Sequence, residues 1–404
     1  MKSEESINIL VFNPGSSSVK YRLISMPGEK DLIFGEAERV GIKTQGASFI
    51  THVVLGEKRV LKIDMPDHST AFKCIMGVIA EDVAKNSRLK TTAFAHRFVH
   101  PGNLYNKTTR AEDNDLKKLK TTFDLAPIHN PVSHSFMEMC RNFSREIPQY
   151  AVFDTAFHAQ IPPENYTYAL PAKIAKEYGI RRVGFHGISH KFVTTEAARF
   201  LKREFDLQKI ISCHLGTGGA SICAVKDGHS IHNTMGLTPL EGLIMNTRSG
   251  DLDTGVLFRL IANEDLTVKQ ADEILNKKSG VLGIFGSSSD LRDAVKTMKN
   301  DKNAAFAFNM FIRRIKKYIG FYSLLLRKPD ILIFTDSLGV SVPLVREKVC
   351  EAMEIFGIKL DKKKNNNYKS GIKDISSGKS AARIMIVPTN EEIMIAREAY
   401  GAHK

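Results

Sequence analysis

The distribution of apolar and polar positions begins with a hairpin pattern close to the N-terminus. Residues 7–13 (INILVFN) form an apolar, β-branched run, which predicts a strand. The turn at 14–18 is rich in glycine and serine, and residues 19–24 alternate as a returning strand does. This part of the chain therefore predicts a β-hairpin closed by small residues.

A second segment of the same design lies near mid-chain. Residues 210–214 (IISCH) are apolar, residues 215–219 (LGTGG) form a turn of small residues, and residues 220–225 (ASICAV) return. Two such hairpins about 200 residues apart predict two domains of the same design. Coincidence is the alternative, because glycine-rich hairpins are common.

Helical and strand patterns alternate through the rest of the sequence. Residues 71–85 and 304–326 carry apolar side chains at helical spacing, which predicts two helices. Residues 330–335 (DILIFT) and 383–387 (RIMIV) have the character of buried strands, and residues 391–400 predict a closing helix. The mixture indicates α/β architecture.

Length and composition narrow the class of protein. A chain of 404 residues is too long for one hydrophobic core, which favours two domains. No apolar run approaches the roughly 18–20 residues of a membrane span, and the polar, acidic N-terminus predicts no signal peptide. We therefore expect a cytoplasmic protein without membrane contact. The five cysteines are scattered, so neither a disulfide framework nor a zinc site is expected.

The formal net charge of +14 has two interpretations. A basic surface that binds nucleic acid is one, and an enzyme that acts on anions is the other. The lysines are dispersed, and the densest run, residues 362–364, lies in an Asn/Lys/Ser-rich stretch that predicts a solvated, mobile loop over 361–380. This distribution favours the enzyme and disfavours nucleic acid as a partner.

Both glycine-rich turns offer groups that phosphate oxygens require. Residues 13–20 (NPGSSSVK) supply backbone N–H groups, three hydroxyls and a lysine, and residues 214–221 repeat this chemistry. A tight hairpin without a ligand is the alternative for each. The pattern GxxxxGK[ST] is missing, so neither turn is a P-loop.

Three further segments are dense in reactive side chains: AHRFVHPG, FDTAFH and GFHGISH. They place Arg97, Asp154 and His186 beside predicted strand ends and glycines. A single histidine in such a segment is more often structural, but the combination favours a functional site.

Arg248 lies in a polar, glycine-containing loop (NTRSGDLD), where anion binding explains an arginine. An ion pair with Asp251 or Asp253 is the alternative. Glu391 and Glu392 follow a predicted strand and open a helix, a position that the helix dipole alone favours.

Taken in order, these segments resemble the acetate kinases, a family with the fold of the actin-like, sugar-kinase and Hsp70-like ATPases. The resemblance runs from residue 8 to 397. The matching stretches are NPGSSSVKY, AHRFVHPG, LAPIHNP, AVFDTAFH, YALP, GIRRVGFHGISHKFV, HLGTGGAS, MGLTPLEGL, TRSGDLD, ILNKKSGVLGIFG, SSDLRD, VREKVCEAM and IVPTNEE.

The resemblance implies an α/β fold of two domains, each built on the same βββαβαβα core, and an active-site cleft between them. We expect an N-terminal domain at 1–154, with the helix 390–404 packing back on it, and a C-terminal domain at 155–389. The implied reaction is phosphoryl transfer from ATP to acetate, with Mg²⁺ or Mn²⁺ as cofactor. A homodimer is also implied.

The resemblance further implies roles for individual residues. Arg97 and Arg248 would contact the carboxylate and the transferring phosphoryl group, His186 the phosphoryl group, and Asp154 would be a catalytic carboxylate near the metal. Asn13 and Glu391 would position magnesium, and Val99, Ile128, Phe185 and Pro239 would hold the methyl group. The phosphate- and nucleotide-binding candidates are Ser16, Ser18, Lys20, His214, Gly216, Thr217, Gly218, Asp290, Leu291, Arg292, Ser337, Leu338 and Gly339.

Two departures from the family fall on the donor side. Most members have HLGNGAS where this chain has HLGTGGAS, and FTxGIGEN where it has FTDSLGVS. The side chains of Asp336 and Ser337 could crowd or repel a nucleoside, and a minority branch that uses pyrophosphate alters the same two loops. ATP is favoured because Ser337 is small and the segment 290–292 is retained. Pyrophosphate is the alternative.

Other functions compete with acetate kinase. Propionate differs from acetate by one methylene, which shifts preference by only ~1–3 kcal/mol. An inactive scaffold of the same fold is a further alternative, motivated by the altered loops. The following retained residues argue against it: Asn13, Arg97, Asp154, His186, Arg248 and Glu391.

Overall fold

The computed structural model describes residues 6–42 and 47–404. Two compact units divide the chain: residues up to Ala156 together with Asn390–Lys404 form the first, and Phe157–Thr389 form the second. The domain boundaries expected from the sequence stay a prediction. Residues 1–5, on which the expectation of no signal peptide depends, lie outside the described part of the chain.

The first unit contains a mixed sheet with strand order β5-β4-β3-β2-β1-β6-β8-β7. Its strands are β1 (Ile7–Pro14), β2 (Ser18–Met26), β3 (Lys30–Glu38), β4 (Phe49–Val54), β5 (Glu57–Lys62), β6 (Ala93–Phe98), β7 (Thr109–Arg110) and β8 (Gln149–Phe153). Strands β1, β6 and β8 are parallel, and the other pairs are antiparallel. The carboxyl ends of these three strands therefore meet at one edge of the sheet.

Helices cover this sheet and enclose an aromatic core. They are α1 (His68–Lys85), α2 (Asp113–Lys120), α3 (Asn130–Phe143) and the C-terminal helix (Glu391–His403). The ring of Phe136 on α3 lies 5.4 Å from that of Phe12 on β1 and 5.7 Å from that of Phe72 on α1. The C-terminal helix contacts β1, β2 and β8, and Arg397 on it donates to both carboxylate oxygens of Glu29 at 2.7 and 2.8 Å.

The second unit contains a sheet with strand order β11-β10-β9-β12-β14-β13. Its strands are β9 (Ile210–Leu215), β10 (Ala220–Lys226), β11 (His229–Asn233), β12 (Ile331–Thr335), β13 (Lys373–Asp374) and β14 (Arg383–Ile386). Five of them repeat the order β3-β2-β1-β6-β8 of the first unit, with β9, β12 and β14 parallel. The predicted α/β class and its duplication are confirmed.

Helices of the second unit include short pieces around the loops and one long core helix. They are α4 (Pro163–Tyr166), α5 (Ala172–Glu177), α6 (Gly187–Phe200), α7 (Thr254–Asn263), α8 (Val268–Glu273), α9 (Gly280–Phe285), α10 (Leu291–Thr297), α11 (Lys302–Leu325), α12 (Asp336–Ser341), α13 (Pro343–Cys350) and α14 (Lys362–Asn366), with a π-helical turn at Ile274–Lys278. Along α11 a buried stripe at helical spacing, including Ala304, Phe308, Phe311 and Ile315, packs into the core, as the sequence predicts.

The stretch 361–380, expected to be a mobile loop, contains α14 and β13. Asp361 caps α14 by accepting a hydrogen bond from Lys364 N at 3.0 Å, and Lys364 Nζ donates to the backbone oxygen of Ser376 at 2.9 Å. These local hydrogen bonds hold regular structure in a segment whose composition predicts a mobile loop.

Among residues 6–42 and 47–404, none of the helices combines the length and the apolar character that a membrane span requires.

Candidate active site

Polar side chains of the first unit converge where β1, β6 and β8 end. Arg97 Nη2 donates to Asp154 Oδ2 at 2.7 Å, and Arg97 Nε donates to Asp154 Oδ1 at 3.1 Å. Arg97 Nη1 donates to Asn13 Oδ1 at 3.3 Å. Three residues that the sequence places at separate strand ends are thus brought together.

The C-terminal helix adds two carboxylates to this cluster. Asn13 Nδ2 donates to Glu391 Oε2 at 3.3 Å and to Glu392 Oε1 at 3.0 Å. Glu391 Oε2 also lies 3.6 Å from Arg97 Nη1. Glu392 was not among the predicted site residues, because a glutamate in the first turn of a helix is explained by the dipole alone. Its position beside Asn13 depends on contact between distant parts of the chain.

The electrostatics of this cluster keep Arg97 charged. Asp154 is only 2% exposed and Arg97 21%. Burial alone would lower the pKa of Arg97, but the nearby carboxylates of Asp154 and Glu391 raise it above its usual value. The result is a permanently charged guanidinium that Asp154 fixes in orientation.

The serine-rich turn of the first unit is a closed hairpin. Gly15 N donates to Ser18 O at 2.7 Å, and His68 Nε2 lies 2.9 Å from Gly15 O. Ser16 and Lys20 are exposed and Ser18 is half-buried. Within the described residues, Lys20 forms no hydrogen bond or ion pair with the Arg97 cluster. Its contact with phosphate stays a prediction.

The four residues predicted to hold the methyl group fall in both units. Val99 is buried and Ile128 is 56% exposed in the first unit. Phe185 is buried and Pro239 is half-buried in the second. Their shared role stays a prediction.

In the second unit, His186 stands beside the glycine-rich turn that follows β9. It has a left-handed φ of +58° immediately before α6, and its Nδ1 lies 2.9 Å from Ser221 Oγ. Its ring stacks on that of His214 with 4.2 Å between the centroids. A Cβ on Gly219 would lie 3.2 Å from His186 Nε2 and 3.6 Å from Arg248 Nη1, so the side-chain-free face of Gly219 lies next to both nitrogens.

Arg248 is half-buried without a carboxylate partner among the described residues. Its Nη1 contacts Met245 Sδ at 3.8 Å, and burial lowers its pKa. Asp251 instead pairs with Lys317 at 2.8 Å, and Asp253 caps α7 by accepting from Gly255 N at 2.9 Å. The alternative of an Arg248–Asp pair is therefore wrong.

Two buried side chains without a predicted role, Ser221 and His190, support His186. His190 Nε2 lies 2.8 Å from Ser221 Oγ, the atom that also contacts His186 Nδ1. Burial lowers the pKa of His190 well below its usual value, which keeps it neutral. The available signal was that His190 lies four residues after His186 in the segment GFHGISH.

The two loops that depart from the family contact each other. Asp336 Oδ2 lies 2.9 Å from His214 Nε2, and His214 Nδ1 lies 2.9 Å from Ser189 Oγ. Thr217 N donates to Ser337 Oγ at 3.1 Å. Asp336 was recognised from the sequence as a source of crowding, but its partner could not be predicted.

The remaining donor-side candidates occupy structural positions. Asp290 caps α10 by accepting from Arg292 N at 2.8 Å, and its carboxylate pairs with the Arg292 guanidinium at 2.5 Å. Leu291 and Leu338 are buried, and Gly339 O accepts from Arg346 Nη1 at 2.8 Å. Nucleoside contact by these residues stays a prediction.

The described residues contain no group of three or more histidine, cysteine, aspartate or glutamate side chains arranged for a metal ion. Magnesium does not require one, because it usually keeps several waters and binds through one or two carboxylates and substrate phosphates. Oxygen atoms of Asn13, Glu391 and Glu392 fit that smaller requirement.

Sequence comparison finds close relatives over nearly the whole chain. The profile of the family described as "Acetokinase family" matches residues 8–397. A protein of Dictyoglomus thermophilum named "Acetate kinase" is 43% identical over 395 residues, covering 97% of this chain and 98% of that protein. One of Thermotoga maritima with the same name is 42% identical over 400 residues, with the same coverage.

Solved structures give the same result. The acetate kinase of Porphyromonas gingivalis superposes with a TM-score of 0.89 at 39% identity, covering 98% of this chain and 100% of that one. A propionate kinase of Francisella tularensis gives 0.87 at 36% identity, covering 97% and 98%.

Proposed function

Because the chain belongs to the acetokinase family, we propose that it transfers a phosphoryl group from ATP to acetate, giving acetyl phosphate and ADP in a reversible reaction. Such an enzyme is a phosphotransferase with a carboxyl group as acceptor. Identity above 40% over nearly the full length to proteins named acetate kinase supports this function and disfavours an inactive scaffold.

One observation carries the chemistry: the guanidinium of Arg248 is half-buried, has no carboxylate partner among the described residues and borders Gly219 and His186. Burying a cation without a counterion costs free energy, and a bound anion offsets that cost. A phosphoryl group has the charge and the oxygen geometry that a guanidinium fork binds.

The reaction needs positive charge more than it needs a base. Carboxylic acids have pKa values of roughly 4–5, so the acetate nucleophile is already ionised at pH 7. Repulsion between this anion and a polyphosphate is the barrier, and fixed cations lower it. We assign this role to Arg97 and Arg248, and we assign His186 a contact with the phosphoryl group. Asp154, committed to Arg97 in the structure, orients that guanidinium.

Magnesium is part of the proposal. Asn13, Glu391 and Glu392 supply the amide and carboxylate oxygens that would hold it. When bound, it neutralises charge on the donor phosphates. Asn13 would connect the magnesium site to Arg97, because Asn13 Oδ1 accepts a hydrogen bond from Arg97 Nη1.

Acetate is the proposed acceptor, and propionate is the second candidate because a solved propionate kinase is 36% identical. Val99, Ile128, Phe185 and Pro239 are the proposed methyl-binding residues. ATP is the proposed donor and pyrophosphate its alternative, since the donor-side loops depart from the usual family pattern.

A homodimer and a cytoplasmic location complete the proposal on family grounds. Helix α7 supports the dimer: it has no buried residue, and Val256 and Phe258 on it are 42% and 68% exposed. A second copy of the chain is the occupant that family membership implies for this apolar surface.

A trapping assay tests the function. The protein is incubated with magnesium, hydroxylamine, either acetate or propionate, and either ATP or pyrophosphate, so that acyl phosphate is captured as hydroxamate. We expect most product with acetate and ATP. Product with pyrophosphate but not with ATP would identify pyrophosphate as the donor. No product in any combination would refute the function.

The same assay tests Arg248. Arg248→Ala should lower kcat by at least ~100-fold, the scale of losing one transition-state donor. The control Arg313→Ala removes an exposed arginine of α11 and should leave kcat unchanged. Near-normal turnover of Arg248→Ala would refute its role.

A further inference from the structure

The carboxylate of Asp336 occupies a position beside the glycine-rich turn where the proposed function requires donor phosphate. Its Oδ2 lies 2.9 Å from His214 Nε2, and a side chain on Gly216 would collide with the same oxygen. The carboxylate therefore fills the space that the missing side chain of Gly216 leaves open. An anion already stands at a turn whose composition suits anion binding.

The backbone of Asp336 favours this placement. Its φ of +62° is left-handed, a conformation that aspartate tolerates better than most residues do. The neighbouring Ser337 accepts a hydrogen bond from Thr217 N at 3.1 Å. The two loops are thus joined at two points, and Thr217 N, a donor that could bind phosphate, is already used.

Buried hydrogen bonds hold the helix that carries Asp336 in place. Arg346, which is fully buried, donates from Nη1 to Gly339 O and to Val340 O, both at 2.8 Å, and from Nε to Asn365 Oδ1 at 2.7 Å. The C-terminal end of α12 is anchored by these contacts. The acidic side chain is therefore presented by a rigid element and not by a loose loop.

We propose that Asp336 is a specificity-determining residue that competes with the phosphate groups of the donor for His214 and the turn 215–219. This inference rests on the proposed function. A donor must either displace the carboxylate from His214 or accept a like charge beside its phosphates, and both weaken donor binding. Acetate carries no phosphate, so its binding is not affected by this competition.

The test compares donor and acceptor kinetics of the wild-type enzyme with those of Asp336→Asn and Asp336→Gly. Asparagine keeps the size and glycine keeps the left-handed backbone, while both remove the charge. The matched control is Asp227→Asn, since Asp227 also has a positive φ, +52°, but lies 76% exposed in the turn between β10 and β11. Initial rates are measured with ATP and, separately, with pyrophosphate.

We expect the donor KM to fall about fivefold or more in both Asp336 variants, the lower range of coupling between two sites, while the KM of acetate stays unchanged. Asp227→Asn should match the wild type. The arm with the larger fall, ATP or pyrophosphate, identifies the donor that Asp336 discriminates against.

The outcomes separate this inference from the function on which it rests. An inactive wild-type enzyme with both donors contradicts the proposed function. An active wild type whose donor KM is unchanged or raised in the variants contradicts competition by Asp336, and so does loss of activity in both variants. A parallel fall in the KM of acetate would also overturn it, because it would indicate a general change of structure.

Discussion

The carboxylate of Asp154 accepts two hydrogen bonds from one edge of the Arg97 guanidinium group. Arg97 Nη2 donates to Asp154 Oδ2 at 2.7 Å, and Arg97 Nε donates to Asp154 Oδ1 at 3.1 Å. This edge is saturated by the carboxylate, and Nη1 points to Asn13 and Glu391. In the proposed function, Asp154 therefore acts through the orientation of Arg97.

Asp154→Asn should keep the fold but lower kcat by ~100-fold, because an amide holds the guanidinium less firmly and does not balance its charge. Steady-state kinetics measure the change, with Asp64→Asn as a control at an exposed position of the same unit. Unchanged kcat would contradict the orienting role.

Arg97→Ala and Arg248→Ala should each lower kcat by at least ~100-fold, and the double variant should cost less than the two losses combined. Groups that stabilise one transition state are not additive, whereas independent effects are. A double-mutant cycle on kcat measures the coupling. Fully additive losses would mean that the two arginines contribute independently and are not coupled.

Glu391→Gln should raise the magnesium concentration needed for half-maximal rate about tenfold, since it removes one of the proposed negative oxygen ligands. Magnesium titrations at fixed donor concentration test this, beside Glu392→Gln. The control Glu81→Gln alters an exposed carboxylate of α1. A lower kcat with an unchanged magnesium dependence would instead indicate a role toward Arg97.

Stability should fall between pH 7 and pH 5 because of buried neutral histidines. Burial lowers the pKa of His96 to about 3, so only the unfolded chain, with a pKa near 6.5, binds a proton in this range. Such a histidine costs about 2 kcal/mol at pH 5. Chemical unfolding at both pH values measures the free energy of unfolding. Its decrease from pH 7 to pH 5 should be about 2 kcal/mol smaller in His96→Leu than in the wild type. An equal decrease in the two proteins would contradict this prediction.

Phe258→Glu should separate a dimer into single chains, because it places a charge on the exposed apolar side of α7. Light scattering after gel filtration measures the mass. The control Phe306→Glu changes another phenylalanine, 59% exposed, on α11. If both variants remain dimeric, α7 does not form the dimer interface.

The sequence allowed the sheet cores to be predicted because buried strands and amphipathic helices depend on local periodicity. The convergence of Arg97 with Asp154 follows from strand ends that share an edge. The partner of Asp336 could not be predicted, because His214 lies more than a hundred residues away and the contact depends on one left-handed residue. The same holds for Glu392, whose contact with Asn13 is long-range.

The C-terminal helix belongs to the first unit, although the ribosome makes it only after the whole of Phe157–Thr389. During synthesis the emerging β1 and β2 therefore lack the cover of the C-terminal helix, and a nascent chain has neither Glu391 nor Glu392 beside Asn13. The first unit can therefore be completed only after the second unit has been translated.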